Sequence, residues 1–202
     1  DPYESASAQT VRVSAAVPVR LAWFGNLAPL NTPLLEAAFA RIASGLRDMS
    51  MAIEVVADAS MREAVVALGA RLRAAHSNLQ LEFSPWSLGA TQTAIDRCDF
   101  VLPPQDHQSD RARVKSHNRL VSAIRGGRLA LASPIPSYTE LAAYAWVNED
   151  LAAGVHWALR YPKEAARRVA EGQRHTEERF APSVIGRRWA ATLGLEIALP
   201  AG

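Results

Sequence analysis

The feature that most constrains the fold is a regular alternation of short apolar runs with segments of helical periodicity. The runs "VRLAWFG", "MAIEVVAD", "LQLEFSPW", "DFVLPP" and "RLALAS", with a weaker "AWVN", have the length and composition of buried strands. Between them, apolar residues recur at helical spacing, as Leu35, Phe39 and Ile42 do. Right-handed crossovers place helices on both faces of such a sheet. The pattern therefore predicts an α/β fold, a doubly wound, Rossmann-like parallel sheet of about six strands.

Bulk composition excludes several classes of protein. The 202 residues are 49% hydrophobic, which suffices for one core, and no apolar run approaches the roughly 20 residues of a membrane-spanning helix. A single cysteine, Cys98, excludes a disulfide framework and predicts a buried thiol. Basic and acidic residues are mixed along the chain at a net charge of +2, which argues against nucleic acid as a partner. We expect a cytoplasmic protein, peripheral to the inner membrane at most.

Three regions are predicted along the chain. Residues 1–18 are small, polar and aperiodic, and we expect a linker or the start of a fragment of a longer protein. Residues 19–180 carry the strand and helix alternation of one Rossmann-like domain. Residues 181–202 are predicted to form a C-terminal helix, which carries Trp189, and a tail.

The functional search narrows to the loops after the strands, because open parallel sheets bind ligands outside the carboxyl ends of their strands. Gly25 and Asn26 follow the first predicted strand, and Pro85 and Trp86 end the third. Gly25 fits either close approach of a ligand or an ordinary turn. Trp86 fits either stacking on a planar base or packing at a strand end. Neither G-x-G-x-x-G nor G-x-x-x-x-G-K-[ST] occurs, which argues against nicotinamide, flavin and P-loop enzymes.

The stretch "KSHNRLVSAIRGGRLALASPIPSY" is the best candidate for an anion site. It predicts a helix in which Lys115, Asn118 and Arg119 lie within the first turn, while Leu120 and the apolar residues after it pack inward. Cations at a helix start oppose the helix dipole, so an idle surface would not favour them. Free N–H groups beside these side chains would attract an anion. A solvated basic turn is the alternative.

Other polar residues carry weaker signals. Asp106, His107 and Asp110 suggest metal ligands, but no second His or Cys has suitable spacing, so we expect no metal. His107 could still donate a hydrogen bond to a sugar or phosphate. Ser137 and Glu140 fit a capping box, which favours a structural role for Glu140. No Ser-His-Asp or Cys-His arrangement is present, and the catalytic residues stay unknown.

Residues 20–193 resemble the C-terminal, nucleotide-sugar-binding half of a GT-B glycosyltransferase, of the family 1 and family 4 kind. The segment "KSHNRLVSAIRGGRLALASPIPSYTEL" is similar to that family's helix, glycine turn, buried strand and donor-sugar loop. "CDFVLPP" looks like the strand before it, and "RLAWFGN" looks like the opening strand with its glycine turn.

The resemblance implies a nucleoside-diphosphate sugar as substrate, with no cofactor and no metal, and transfer of a hexose to an unknown sugar, lipid or protein acceptor. By position it puts the base near Pro85 and Trp86. The diphosphate falls near Gly25, Asn26, Lys115, Asn118 and Arg119, and the donor sugar near Ile135, Pro136, Ser137 and Tyr138. In the family an N-terminal domain binds the acceptor and the last helix crosses back to it. We therefore expect donor binding from this chain, and little or no transfer without such a domain.

The sequence departs from the family pattern at one pair of positions, which leaves alternative functions open. Many retaining members have two glutamates separated by seven residues, where this sequence has Val114 and Ser122. Retention of configuration therefore does not follow. A nucleotide-sugar 2-epimerase half and a non-catalytic α/β domain that binds nucleotides or partners remain alternative hypotheses.

Overall fold

The sheet and its helices are described by a computed structural model, which covers residues 10–11, 13, 17–27 and 32–194. In chain order the elements are β1 (Val19–Phe24), α1 (Thr32–Gly45), β2 (Met51–Ala57), α2 (Arg62–Ala75), β3 (Leu79–Pro85), α3 (Leu88–Arg97), β4 (Phe100–Val101), α4 (Asn118–Arg125), β5 (Leu129–Ala132), α5 (Pro136–Thr139), β6 (Trp146–Val147), α6 (Leu151–Arg160), α7 (Pro162–Phe180) and α8 (Pro182–Leu193). Short 3-10 helices span Ala59–Met61 and Asp110–Val114. The predicted linker 1–18 and tail lie mostly outside the described residues.

The described strands form one parallel sheet in the order β3-β2-β1-β4-β5-β6. Leu21 of β1 pairs with Ile53 of β2 on one side and with Phe100 of β4 on the other. The sheet therefore grows outward in both directions from the β1–β4 pair. This pair is the topological switch point, where the crossovers that leave β1 and β4 run to opposite sides. The predicted doubly wound Rossmann-like sheet is confirmed.

Apolar side chains alternate between two layers of core. Leu21 and Trp23 pack with α1 and α2, whereas Ala22 and Phe24 pack with α3 and α4. The inward face predicted for α4 is confirmed, since Leu120, Val121, Ala123 and Ile124 are all buried. Cys98 is a buried thiol, as predicted. None of the helices in the described part of the chain is long and apolar enough to cross a membrane.

The predicted start of α4 is wrong. Its first hydrogen bonds run from the Leu120 and Val121 N–H groups to the His117 carbonyl, at 2.9 and 3.1 Å. Lys115 lies before the helix in an extended conformation, with φ −71° and ψ 136°. The first buried position of the pattern is Leu120, so an earlier helical turn would bury nothing. Lys115 therefore shares no helical turn with Asn118 and Arg119.

The predicted capping box of Ser137 and Glu140 is also wrong. Pro136 occupies the first turn of α5, and Ile135 is the N-cap, without a side-chain hydrogen bond. Proline suits the first helical position because it has no N–H to satisfy, so the helix begins before Ser137. The Ser137 hydroxyl is buried and has no hydrogen-bond partner among the described residues.

The last described helix leaves an apolar surface exposed. In α8, Ala190 is buried, but Trp189 is 62% and Leu193 60% exposed. The helix lies close to the predicted position. Its role as a helix that crosses to a second domain stays a prediction.

Candidate functional site

A cleft of about 190 Å³ opens beside the carboxyl ends of β1 and β4. The start of α1, the loop after β4 and the first turn of α4 form its walls. It is lined by Trp23, Asn26, Leu34, Leu35, Pro104, Gln105, Asp106, Ser109, Lys115 and Arg119. Its position agrees with the general rule that open parallel sheets bind ligands at the switch point.

Arg119 is fixed by the end of β1. Its guanidinium carbon lies 5.1 Å from the centroid of the Trp23 ring, within cation–π range. The guanidinium also fills the space beside Gly25, where an added Cβ would lie 2.7 Å from the Arg119 Cζ. Gly25 has φ +144°, which side chains rarely adopt. The glycine after β1 therefore makes room for the arginine of α4.

The charge of Arg119 is poorly compensated by the protein. Burial lowers the pKa of its guanidinium, and the nearby Tyr138 hydroxyl acts in the opposite direction. Even so, an arginine remains charged at neutral pH. Among the described residues, no carboxylate forms an ion pair with it. Partly burying an unpaired cation is costly, so this arrangement favours an anionic ligand.

The loop after β4 is held in place at two points. The Gln105 N–H donates to the Ser133 hydroxyl at 3.0 Å, which ties the loop to the end of β5. Burial raises the pKa of the Tyr138 hydroxyl, and the neighbouring Gln105 side chain acts in the opposite direction. His107 Nε2 lies 3.0 Å from Glu149 Oε1, between β6 and α6. The cleft wall is therefore anchored to the neighbouring strands.

Four of the five residues predicted for a diphosphate meet at the cleft. Asn26, Lys115 and Arg119 line it, and Gly25 touches Arg119 from behind. Asn118 is exposed at the first residue of α4 and is not part of the lining. The structure brings together the turn after β1 and the segment that leads into α4, although they are about 90 positions apart in the sequence.

The other predicted residues lie outside the cleft lining. Pro85 ends β3, two strands away from β1, and Trp86, which follows it, is 56% exposed. The Trp86 ring is therefore accessible to a ligand at this edge of the sheet. In the donor-sugar loop, the side chains of Ile135 and Tyr138 belong to the buried core, which leaves Pro136 and part of Ser137 at the surface. His107 is engaged by Glu149.

Sequence reasoning missed Trp23 and Gln105. Trp23 lies in an apolar strand, so the sequence does not distinguish it from a core residue. In the structure it is only 3% exposed. Its indole Nε1 is buried and has no hydrogen-bond partner in the described part of the chain. The available signal was its place near the carboxyl end of β1.

Within the described ranges, no group of three His, Cys, Asp or Glu side chains lies close enough together to hold a metal ion.

Sequence comparison identifies no relative of this chain. No protein-family profile matches it, and no curated protein matches it significantly.

Comparison with solved structures is informative about the fold. A TarM variant from S. aureus, solved in complex with UDP and other ligands, aligns over 91% of this chain and 37% of its own, with a TM-score of 0.64 and 11% identity. The alpha,alpha-trehalose-phosphate synthase (UDP-forming) from Burkholderia vietnamiensis aligns over 87% of this chain and 42% of its own, with a TM-score of 0.61 and 14% identity.

One similar structure is a domain of comparable size. The C-terminal domain of a glycosyl transferase group 1 family protein, LpcC from Francisella tularensis, aligns over 82% of this chain and 88% of its own, with a TM-score of 0.56 and 11% identity. The chain thus spans well under half the length of TarM and of the trehalose-phosphate synthase, but nearly all of this domain. Taken with its sheet order, the chain has the fold of a GT-B glycosyltransferase domain.

Proposed function

We propose that this chain is the donor-binding domain of a glycosyltransferase and binds a nucleoside-diphosphate sugar at the cleft beside β1 and β4. The observation that carries the proposal is Arg119, a partly buried guanidinium with no ion-pair partner among the described residues. A diphosphate would supply the missing negative charge, and bidentate hydrogen bonds suit both the guanidinium and a phosphate.

The surroundings of Arg119 support the same ligand. Lys115 lines the cleft and adds a second cation, and Asn26 offers an amide. The N-terminus of α4 adjoins them, and helix N-termini favour anions. The exposed Trp86 offers an aromatic face for a base at the same edge of the sheet. Two structures of similar fold are described with UDP or as UDP-forming, so uridine is the first base to test.

The chemistry proposed for this domain is electrostatic. When the bond to the sugar breaks, negative charge develops on the departing diphosphate. Arg119 and Lys115 would stabilise that charge without a metal ion or cofactor. A second domain would supply the acceptor site and any catalytic base, so we expect this chain alone to transfer hexose slowly or not at all. We place it in the cytoplasm.

The test is ligand-dependent thermal stability. Adding UDP, GDP or ADP to the full chain should raise the melting temperature for at least one nucleotide, because a ligand that binds only the folded state stabilises it. The variant with Lys115→Ala and Arg119→Ala should lose that shift. A control variant with Arg160→Ala and Lys163→Ala removes the same charge from exposed positions at the α6–α7 junction.

The control should keep the full shift. If none of the three nucleotides changes the melting temperature of the unaltered chain, donor binding is refuted for these bases. If the cleft variant and the control lose the shift equally, nucleotide binding depends only on the net charge of the protein, and the assignment of the site is wrong.

A further inference from the structure

We propose that Asp106 accepts hydrogen bonds from ligand hydroxyl groups and thereby makes the cleft selective for sugar phosphates over inorganic phosphates. The proposal rests on the proposed function and adds a specificity-determining residue to it. It starts from an acidic side chain in the wall of an otherwise cationic cleft.

The turn around Asp106 fixes its position. Asp106 Oδ1 accepts a hydrogen bond from the Gln108 N–H at 3.1 Å, and its backbone carbonyl accepts from the Ser109 N–H at 3.1 Å and the Ser109 hydroxyl at 2.8 Å. Within the described residues the second carboxylate oxygen has no partner. One oxygen therefore serves the turn, and the other is available to a ligand.

Charge makes this carboxylate unexpected. Arg119 and Lys115 line the same cleft, and in the described structure Asp106 forms no ion pair with Arg119. A carboxylate in this wall repels the anion that the two cations attract. A ligand that also brings hydrogen-bond donors would offset this repulsion, because a sugar hydroxyl donating to a carboxylate forms a strong, charge-assisted hydrogen bond.

The composition of the lining leaves no substitute. Asp106 is the only carboxylate among the described residues that line the cleft. The Gln105 side chain is neutral, and the Ser109 hydroxyl donates to the Asp106 backbone carbonyl. A hydroxyl that is bound here through a charged acceptor must therefore use Asp106.

The test compares three probes by calorimetry on the full chain: pyrophosphate, UDP and UDP-glucose. Pyrophosphate has no hydroxyl, UDP has the ribose hydroxyls, and UDP-glucose adds those of the transferred sugar. Asp106→Asn keeps the turn, because an amide oxygen can still accept from Gln108. Asp110→Asn is the matched control, since it removes the same charge from an exposed position outside the lining.

We expect Asp106→Asn to lower the affinity for the hydroxyl-bearing ligand about tenfold, the usual effect of losing a hydrogen bond to a charged group. Pyrophosphate should bind equally well or a few-fold more tightly, because a repulsive charge has gone. A loss on UDP assigns Asp106 to the ribose, and a loss confined to UDP-glucose assigns it to the transferred sugar.

Three results would overturn the inference. They are unchanged affinity for every probe, an equal change for all three, and the same pattern in Asp110→Asn. In each case UDP binding by the unaltered chain would leave the proposed function intact. If the unaltered chain bound none of the probes, the proposed function and this inference would both be refuted.

Discussion

The guanidinium of Arg119 occupies the space that any side chain at Gly25 would need, so the end of β1 and the first turn of α4 fit together only because residue 25 is glycine. The added Cβ would overlap Arg119 Nη2 and lie 2.7 Å from its Cζ. Two segments distant in sequence are thereby coupled at the proposed anion site.

Gly25→Ala should therefore displace Arg119 and strain the backbone at φ +144°. We expect a loss of about 1–3 kcal/mol in the free energy of unfolding, with the nucleotide-dependent rise in melting temperature largely abolished. Urea denaturation and thermal shift measure the two effects. Gly89→Ala is the control, since an added Cβ there meets nothing within 4 Å. Full nucleotide binding by Gly25→Ala would contradict the coupling.

Arg119→Ala should separate binding from stability. It removes a partly buried charge that lacks an ion-pair partner among the described residues, so the free energy of unfolding should change by about 1 kcal/mol or less. UDP affinity should fall at least about tenfold. Arg71→Ala removes an exposed arginine paired with Glu36 and should leave UDP affinity unchanged. A large loss of stability in Arg119→Ala would show that the arginine is structural.

Trp86→Ala should weaken nucleotide binding without affecting the fold. Because Trp86 is 56% exposed, its removal creates no cavity. If it stacks on the base, UDP should bind more weakly by about 1–3 kcal/mol, whereas pyrophosphate should be unaffected. Trp189→Ala, another exposed tryptophan at 62%, is the control, and calorimetry is the measurement. Equal UDP affinity in both variants would remove Trp86 from the site.

His117 should make stability depend on pH. Burial lowers the pKa of its imidazole from the usual 6.5, although Glu140 acts in the opposite direction. The unfolded chain therefore binds a proton more readily than the folded chain. The contribution of His117 to stability is complete above about pH 6.5 and is lost as the pH falls through 6.5 towards the lower folded-state value.

His117→Phe keeps an aromatic ring against Phe180, whose ring centroid lies 4.7 Å from that of His117, but it cannot titrate. We expect urea midpoints of this variant to change less between pH 7.5 and 5 than those of the unaltered chain. An identical pH dependence in the two proteins would rule out the effect.

The periodic patterns predicted the sheet and most helices because each of these elements buries its own apolar residues. Leu120 and Ile124 mark the inward face of α4 in any Rossmann-like arrangement, and they are buried as expected. The first residues of helices were harder to predict. Lys115 lies in an extended segment before α4, and Pro136 makes α5 begin before Ser137, and apolar periodicity reports neither feature.

Part of the site was also predictable from the sequence, for a different reason. Polar and glycine residues at strand ends, such as Asn26 and Arg119, were recognisable because parallel sheets bind ligands at that edge. Trp23 was not, because an indole in an apolar strand looks like core whether or not its N–H has a partner.

The sequence by itself determined the order of strands and helices, the inward faces and the absence of a dinucleotide or P-loop motif. Only the tertiary structure decided that Gly25, Trp23 and Arg119 touch, that Arg119 has no carboxylate partner in the described part of the chain, and that Asp106 shares its cleft. The physical reason is that local periodicity is set by burial along one element, whereas β1 and β4 become neighbours only when the whole sheet assembles.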